Sequence, residues 1–149
     1  MHIQKSYFII SFVCFVMLLP ACNKETLFTE SPIPDKFFRV EVNLNTTQAQ
    51  PLRLADGKFI RVDGGWRGIY IYRVSPNVFR AFDANCPYNW TDTCANIKAD
   101  LSGLFLRDSC CGSSFNWQGL PTGGPARAPM KEYPVGFLNS STLLITNTP

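Results

Sequence analysis

Hydrophobic and polar residues alternate with a period of two along much of this chain. Phe38, Val40, Val42 and Leu44 are separated by Arg39, Glu41 and Asn43, the spacing of a strand with one face turned inward and the other to water. Residues 58–62 repeat the pattern after Asp56-Gly57. Residues 68–74 and 78–82 flank Ser75-Pro76-Asn77 and predict a hairpin. Residues 104–106, 131–137 and 142–146 complete the predicted strands. After residue 21, no capped run of apolar residues at helical spacing is long enough to predict a helix. The pattern predicts an all-β fold, a small antiparallel sandwich or partly open barrel.

The first 21 residues break this pattern. Lys5 is their one fixed charge, and residues 8–19 are almost wholly apolar, a run too short to span a bilayer comfortably. It ends in Leu19-Pro20-Ala21-Cys22, where a small residue precedes a cysteine. That junction resembles the lipobox of bacterial lipoproteins, which implies a signal peptide over 1–21 and a lipid on Cys22. Residues 22–36 are polar and include Ser31-Pro32-Ile33-Pro34, a composition suited to a tether, with the folded body at 37–149. Asn23-Lys24-Glu25 weakly resembles the export signal of surface lipoproteins in the Bacteroidetes group. The expected location is therefore the bacterial outer membrane, on its periplasmic or surface face.

Of 149 residues, 46% are hydrophobic and 17% charged, which argues against disorder. The formal charge of +3 says little about partners. The basic residues are scattered, with Arg53, Arg61, Arg67, Arg73 and Arg80 read as solvated strand faces, and export argues against a nucleic-acid ligand. The expected partners are the membrane, through the lipid, and an unidentified protein. Cleavage would remove the single histidine, His2, together with Cys14. Four cysteines then remain beside Cys22, an even set in a compartment where disulfides persist.

Two loops carry those four. One runs Asp83-Ala84-Asn85-Cys86-Pro87-Tyr88-Asn89-Trp90-Thr91-Asp92-Thr93-Cys94, the other Asp108-Ser109-Cys110-Cys111-Gly112-Ser113-Ser114-Phe115. Gly124-Pro125-Ala126-Arg127-Ala128-Pro129-Met130-Lys131-Glu132-Tyr133-Pro134-Val135 follows.

From about Phe37 to Thr146 this arrangement resembles the Rieske iron-sulfur domain. In that family a Cys-x-His loop and a Cys-x-x-His-Gly-Ser loop hold the cluster beneath a loop of the form Gly-Pro-Ala-x-x-Pro-Leu-x-x-Tyr-x-Val. Here residues 82–87 match the approach to the first loop, 112–115 the end of the second, and 124–135 the covering loop. The resemblance implies an all-β Rieske-like fold. It also places the former ligand positions at Cys86, Tyr88, Asp108 and Cys111, so that one of four keeps its residue. A Rieske centre takes two thiolates and two imidazoles, and the imidazole half has no counterpart after residue 2.

In respiratory Rieske proteins a disulfide ties the two loops together. The resemblance implies Cys94 and Cys110 as that pair, which leaves Cys86 and Cys111 to bond across the former cluster space. The exchanged pairing, Cys86 with Cys110 and Cys94 with Cys111, stays open. A disulfide-stapled binding or structural module without a cofactor or metal is the favoured expectation. The alternative is an electron-transfer protein with a non-standard 2Fe-2S cluster. Trp90, Trp117, Tyr88 and Leu120 are read as shelter for the loops in preference to a docking patch. Three of Asp83, Asp92, Asp100 and Asp108 sit where turns favour aspartate. No nucleophile stands beside an evident base, so the sequence predicts no enzyme.

Overall fold

A computed structural model describes residues 30–148, so Cys22 and the expected signal peptide lie outside the described residues. The described residues form eleven strands and one short helix. The strands are β1 (Phe38–Asn43), β2 (Phe59–Val62), β3 (Ile69–Ser75), β4 (Val78–Asp83), β5 (Ile97–Ala99), β6 (Leu106–Asp108), β7 (Ser114–Phe115), β8 (Pro121–Gly123), β9 (Glu132–Tyr133), β10 (Val135–Asn139) and β11 (Thr142–Asn147). The helix, α1 (Gln50–Leu54), lies between β1 and β2. The fold is all-β and antiparallel, in three sheets ordered β1-β11-β10, β2-β3-β4-β9 and β5-β6-β7-β8.

The second sheet lies between two hydrophobic clusters because its strands are apolar on both faces. Ile69, Ile71 and Ala81 pack with Val42, Leu52, Leu143 and Ile145 of β1, α1 and β11. Tyr70 and Phe82, one residue out of phase, pack with Ile97, Leu106, Phe115 and Trp117 on the side of the third sheet. The alternation along β3 and β4 is thus a division between two cores, not between core and water.

The predicted hairpin forms as expected, with Asn77 in the left-handed region at φ 63°. The predicted strand 131–137 divides at Pro134. Before it, β9 pairs with β4 in the second sheet; after it, β10 pairs with β11 in the first. Proline has no N–H for a ladder and marks the change of sheet.

The unpredicted helix α1 is five residues long, with proline in its first turn, and Arg73 Nη1 donates to the carbonyls of Leu52 and Arg53 near its C-terminal end. Other arginines read as solvated also make cross-links. Arg80 meets Glu132 at 2.6 Å, and Arg67 Nη2 donates to the Asp92 carbonyl at 2.7 Å. The last residues of the expected tether rest on the body: Ile33 is buried, Trp66 Nε1 donates to the Pro34 carbonyl and Asp35 pairs with Lys131 at 2.6 Å. Among the described residues no helix is long and apolar enough to cross a membrane.

Candidate functional site

The second and third sheets bring the two cysteine loops together. The first loop leaves β4 at Asp83, whose fully buried carboxylate accepts the backbone N–H groups of Trp66 at 2.6 Å, Arg67 at 3.3 Å and Asn85 at 2.8 Å, and the Tyr133 hydroxyl at 2.7 Å. Burial, and then Asp83, push the Tyr133 phenol well above its ordinary range. Asn85 continues the scaffold. Its side-chain oxygen accepts from Cys86 N at 3.1 Å, while Nδ2 donates to the Trp90 carbonyl at 3.0 Å. Cys86 is thereby fixed in the core at 0% exposure.

The second loop is a tight turn between β6 and β7. Asp108 N donates to the Ser113 carbonyl, and Gly112 N to the Asp108 carbonyl, both at 2.9 Å. Asp108 Oδ1 accepts from Cys110 N at 2.6 Å and Cys111 N at 3.4 Å. Its Oδ2 is buried without a hydrogen-bond partner, a costly condition for a carboxylate oxygen.

The covering loop locks onto this turn. Ser113 Oγ accepts from Ala126 N at 3.0 Å and lies 3.0 Å from Cys111 Sγ. Gly124 has φ +81°, and a Cβ there would press on the Gly112 and Ser113 backbone, 2.8 Å from Gly112 O.

Cys94 and Cys110 form a disulfide with Cα atoms 5.7 Å apart, joining the loops at the surface. The exchanged pairing of the four cysteines does not occur. The expected Cys86–Cys111 disulfide is not formed: both are free thiols, their sulfurs 3.5 Å apart. Burial pushes the Cys86 thiol far above its ordinary range, with Asp108 and Cys111 adding to the effect. Cys86, Asp108 and Cys111 place one ligand-type atom each within 4.8 Å of one another. They line a cavity of about 200 Å³ with Tyr88, Asn89 and Asp92.

Three of the four positions that the resemblance singled out therefore converge. The fourth, Tyr88, is 55% exposed at the rim. The aromatic group divides as well: Trp117 is buried and stacks on Phe59 at 4.4 Å and Tyr72 at 4.9 Å, whereas Leu120 is exposed. Trp90 meets Trp66 edge-on at 5.5 Å. Sequence reading overlooked Asn85 and Ser113. Both stood in the stretches that matched the family pattern, and their roles depend on partners distant in sequence or hidden in loop geometry.

No protein-family model and no curated protein matches the chain. Among solved structures, it is similar to an NADH-dependent nitrite reductase small subunit from Mycobacterium tuberculosis, at 12% identity and a TM-score of 0.44, covering 77% of this chain and 99% of that one. It is also similar to the ferredoxin of carbazole 1,9a-dioxygenase from Nocardioides aromaticivorans, at 17% identity and a TM-score of 0.46, covering 76% and 100%. The expectation that the chain carries no cofactor is accordingly corrected. Three ligand-type side chains share one cavity here.

The residues nevertheless do not fit a Rieske cluster. Such a cluster takes two ligands on each of two irons, with imidazoles on one. Here two sulfurs 3.5 Å apart and one carboxylate converge, with no histidine among the described residues.

Proposed function

We propose that this protein is an exported lipoprotein, processed at Cys22 and held by its lipid at the outer membrane, whose Rieske-like domain acts as a binding module and not as an enzyme. The observation that carries the reading is the Cys86–Cys111 thiol pair, Cys86 buried and Cys111 half-buried, beside the Cys94–Cys110 disulfide. A buried thiol whose burial favours its protonated form is a poor nucleophile. No histidine stands among the described residues to activate it. The disulfide suits an oxidising compartment, and the lipobox-like Leu19-Pro20-Ala21-Cys22 supplies the route there. The protein partner approaches the loop tips, where Pro87, Tyr88, Pro125 and Ala128 line a groove together with Glu30 and Arg127.

Two measurements test this. Cells fed a palmitate analogue should label the wild-type chain but not a Cys22→Ser variant, and proteolysis of intact cells then separates the surface face from the periplasmic one. A redox titration of the exported protein in the visible should show no reversible bleaching. Reversible bleaching would assign electron transfer and overturn the binding-module reading.

A further inference from the structure

We propose that Cys86, Cys111 and Asp108 form a mononuclear site for a zinc-class divalent cation, with one coordination position open to the cavity. The inference rests on the binding-module reading and supplies its ligand.

Distance is the first argument. Two thiolates on one tetrahedral ion, with metal–sulfur bonds of about 2.3 Å, stand about 3.8 Å apart. The Cys86 and Cys111 sulfurs are 3.5 Å apart, so an ion between them requires a shift of a few tenths of an ångström. A direct disulfide, at about 2.05 Å, requires a far larger one.

The Asp108 carboxylate also points to a cation. Its Oδ1 is occupied by the backbone N–H groups of Cys110 and Cys111, which fix the side chain, while Oδ2 is buried and unpartnered. A cation next to that oxygen removes the cost of burying it without a partner. The cavity lining contains a second carboxylate, Asp92, and among the described residues that line it there is no lysine or arginine. Arg67 reaches the Asp92 carbonyl from outside the lining, so the carboxylate that faces the two sulfurs without a partner is Asp108.

Ligand chemistry selects the class. Two sulfurs and one carboxylate suit borderline-soft Zn²⁺ better than Ca²⁺ or Mg²⁺, which prefer all-oxygen shells. Three protein ligands leave the fourth tetrahedral position for water or for a donor atom of a bound molecule. On binding, the two thiols release two protons to solvent and two metal–sulfur bonds form. Nothing is oxidised or reduced.

Ser113 supports the site from behind. Its Oγ accepts from Ala126 N, so its own hydrogen is free to turn toward a Cys111 thiolate 3.0 Å away. The other cysteine group, Asp92 with Cys94 and Cys110, offers no comparable site because its sulfurs are bonded to each other.

The test uses the full chain purified from an exporting host. Metal analysis should find about one zinc per chain. After chelation, anaerobic titration with Co²⁺ should produce the intense visible bands of tetrahedral thiolate coordination, with proton release. Cys86→Ser and Cys111→Ser should abolish the bands. Asp108→Asn keeps an oxygen for the Cys110 and Cys111 N–H groups, so it should fold and bind Co²⁺ more weakly. Ser113→Ala should retain the bands and lower affinity by roughly 10-fold or more.

Failure of Co²⁺ to bind while alkylation finds Cys86 and Cys111 free and shielded overturns the metal site and leaves the binding-module reading intact. Uptake unchanged in both Asp108→Asn and Ser113→Ala also overturns this site. Iron with equimolar acid-labile sulfide overturns the metal site and the binding-module reading together.

Discussion

The Tyr133 hydroxyl donates to Asp83 Oδ2 at 2.7 Å, across fifty residues of sequence, and so pins β9 to the end of β4 where the first cysteine loop departs. Three backbone N–H groups converge on the same carboxylate. Tyr133→Phe should therefore lower stability by about 1–3 kcal/mol, the cost of withdrawing one partner from a buried polar group. Asp83→Ala should cost more, since it removes the acceptor for every one of these donors. Urea unfolding measures both.

The same contact produces a pH dependence. The folded Tyr133 phenol is held above its ordinary value by burial and by Asp83. Above pH of about 10 the unfolded chain loses this proton while the folded chain keeps it. The contribution is complete below that pH and is lost as pH rises toward the folded value, at up to about 1.4 kcal/mol per pH unit from this group. In Tyr133→Phe the alkaline slope of unfolding free energy should be shallower than in the wild type. Equal slopes would show that Tyr133 is not the group responsible.

Gly124 occupies a backbone conformation that side chains rarely adopt, against the backbone of Gly112 and Ser113. Gly124→Ala should destabilise by roughly 1–3 kcal/mol and lift the covering loop. In chelator-treated protein the lifted loop should speed alkylation of Cys86. A lower unfolding midpoint with no change in Cys86 reactivity would confine the strain to the loop.

The Cys94–Cys110 disulfide closes a segment with a sequence separation of 16. Replacing both cysteines with serine should lower stability by about 3 kcal/mol on the loop-entropy model. The pair is exposed while Cys86 is buried. Mild reductant should thus open the disulfide before global unfolding, as alkylation mapped by mass spectrometry would show.

Trp117 is sandwiched by Phe59 and Tyr72, and its Nε1 donates to the Gly103 carbonyl at 2.9 Å. Trp117→Ala should cost about 3–5 kcal/mol. Trp117→Phe should cost less because it keeps most of the stacking. The wild-type emission should shift to the red on unfolding.

Much of the fold was legible because β-structure writes its period into the chain. The residues of β1 alternate, β3, β4 and β11 stand out as short runs rich in β-branched and aromatic residues, and the hairpin turn at Pro76-Asn77 announces itself by composition. Strands β5, β7 and β8 were not legible, since two or three residues are too few to show a period. Both cysteine loops could be marked from their turn residues and cysteines, whereas the covering loop was placed by its resemblance to the Rieske pattern.

What the sequence by itself determined was the inventory: an all-β body, four cysteines in two loops after Cys22, and no histidine after residue 2. Only the tertiary structure decided how that inventory is used. Asp108 was one aspartate in a turn until folding buried it with Oδ2 unpartnered, and Cys86 and Cys111 were two thiols until packing set their sulfurs 3.5 Å apart. Spacing along a chain states which groups are present. Their distances and solvation, which set ligand chemistry, depend on contacts between β4, β6 and the covering loop that no local pattern encodes.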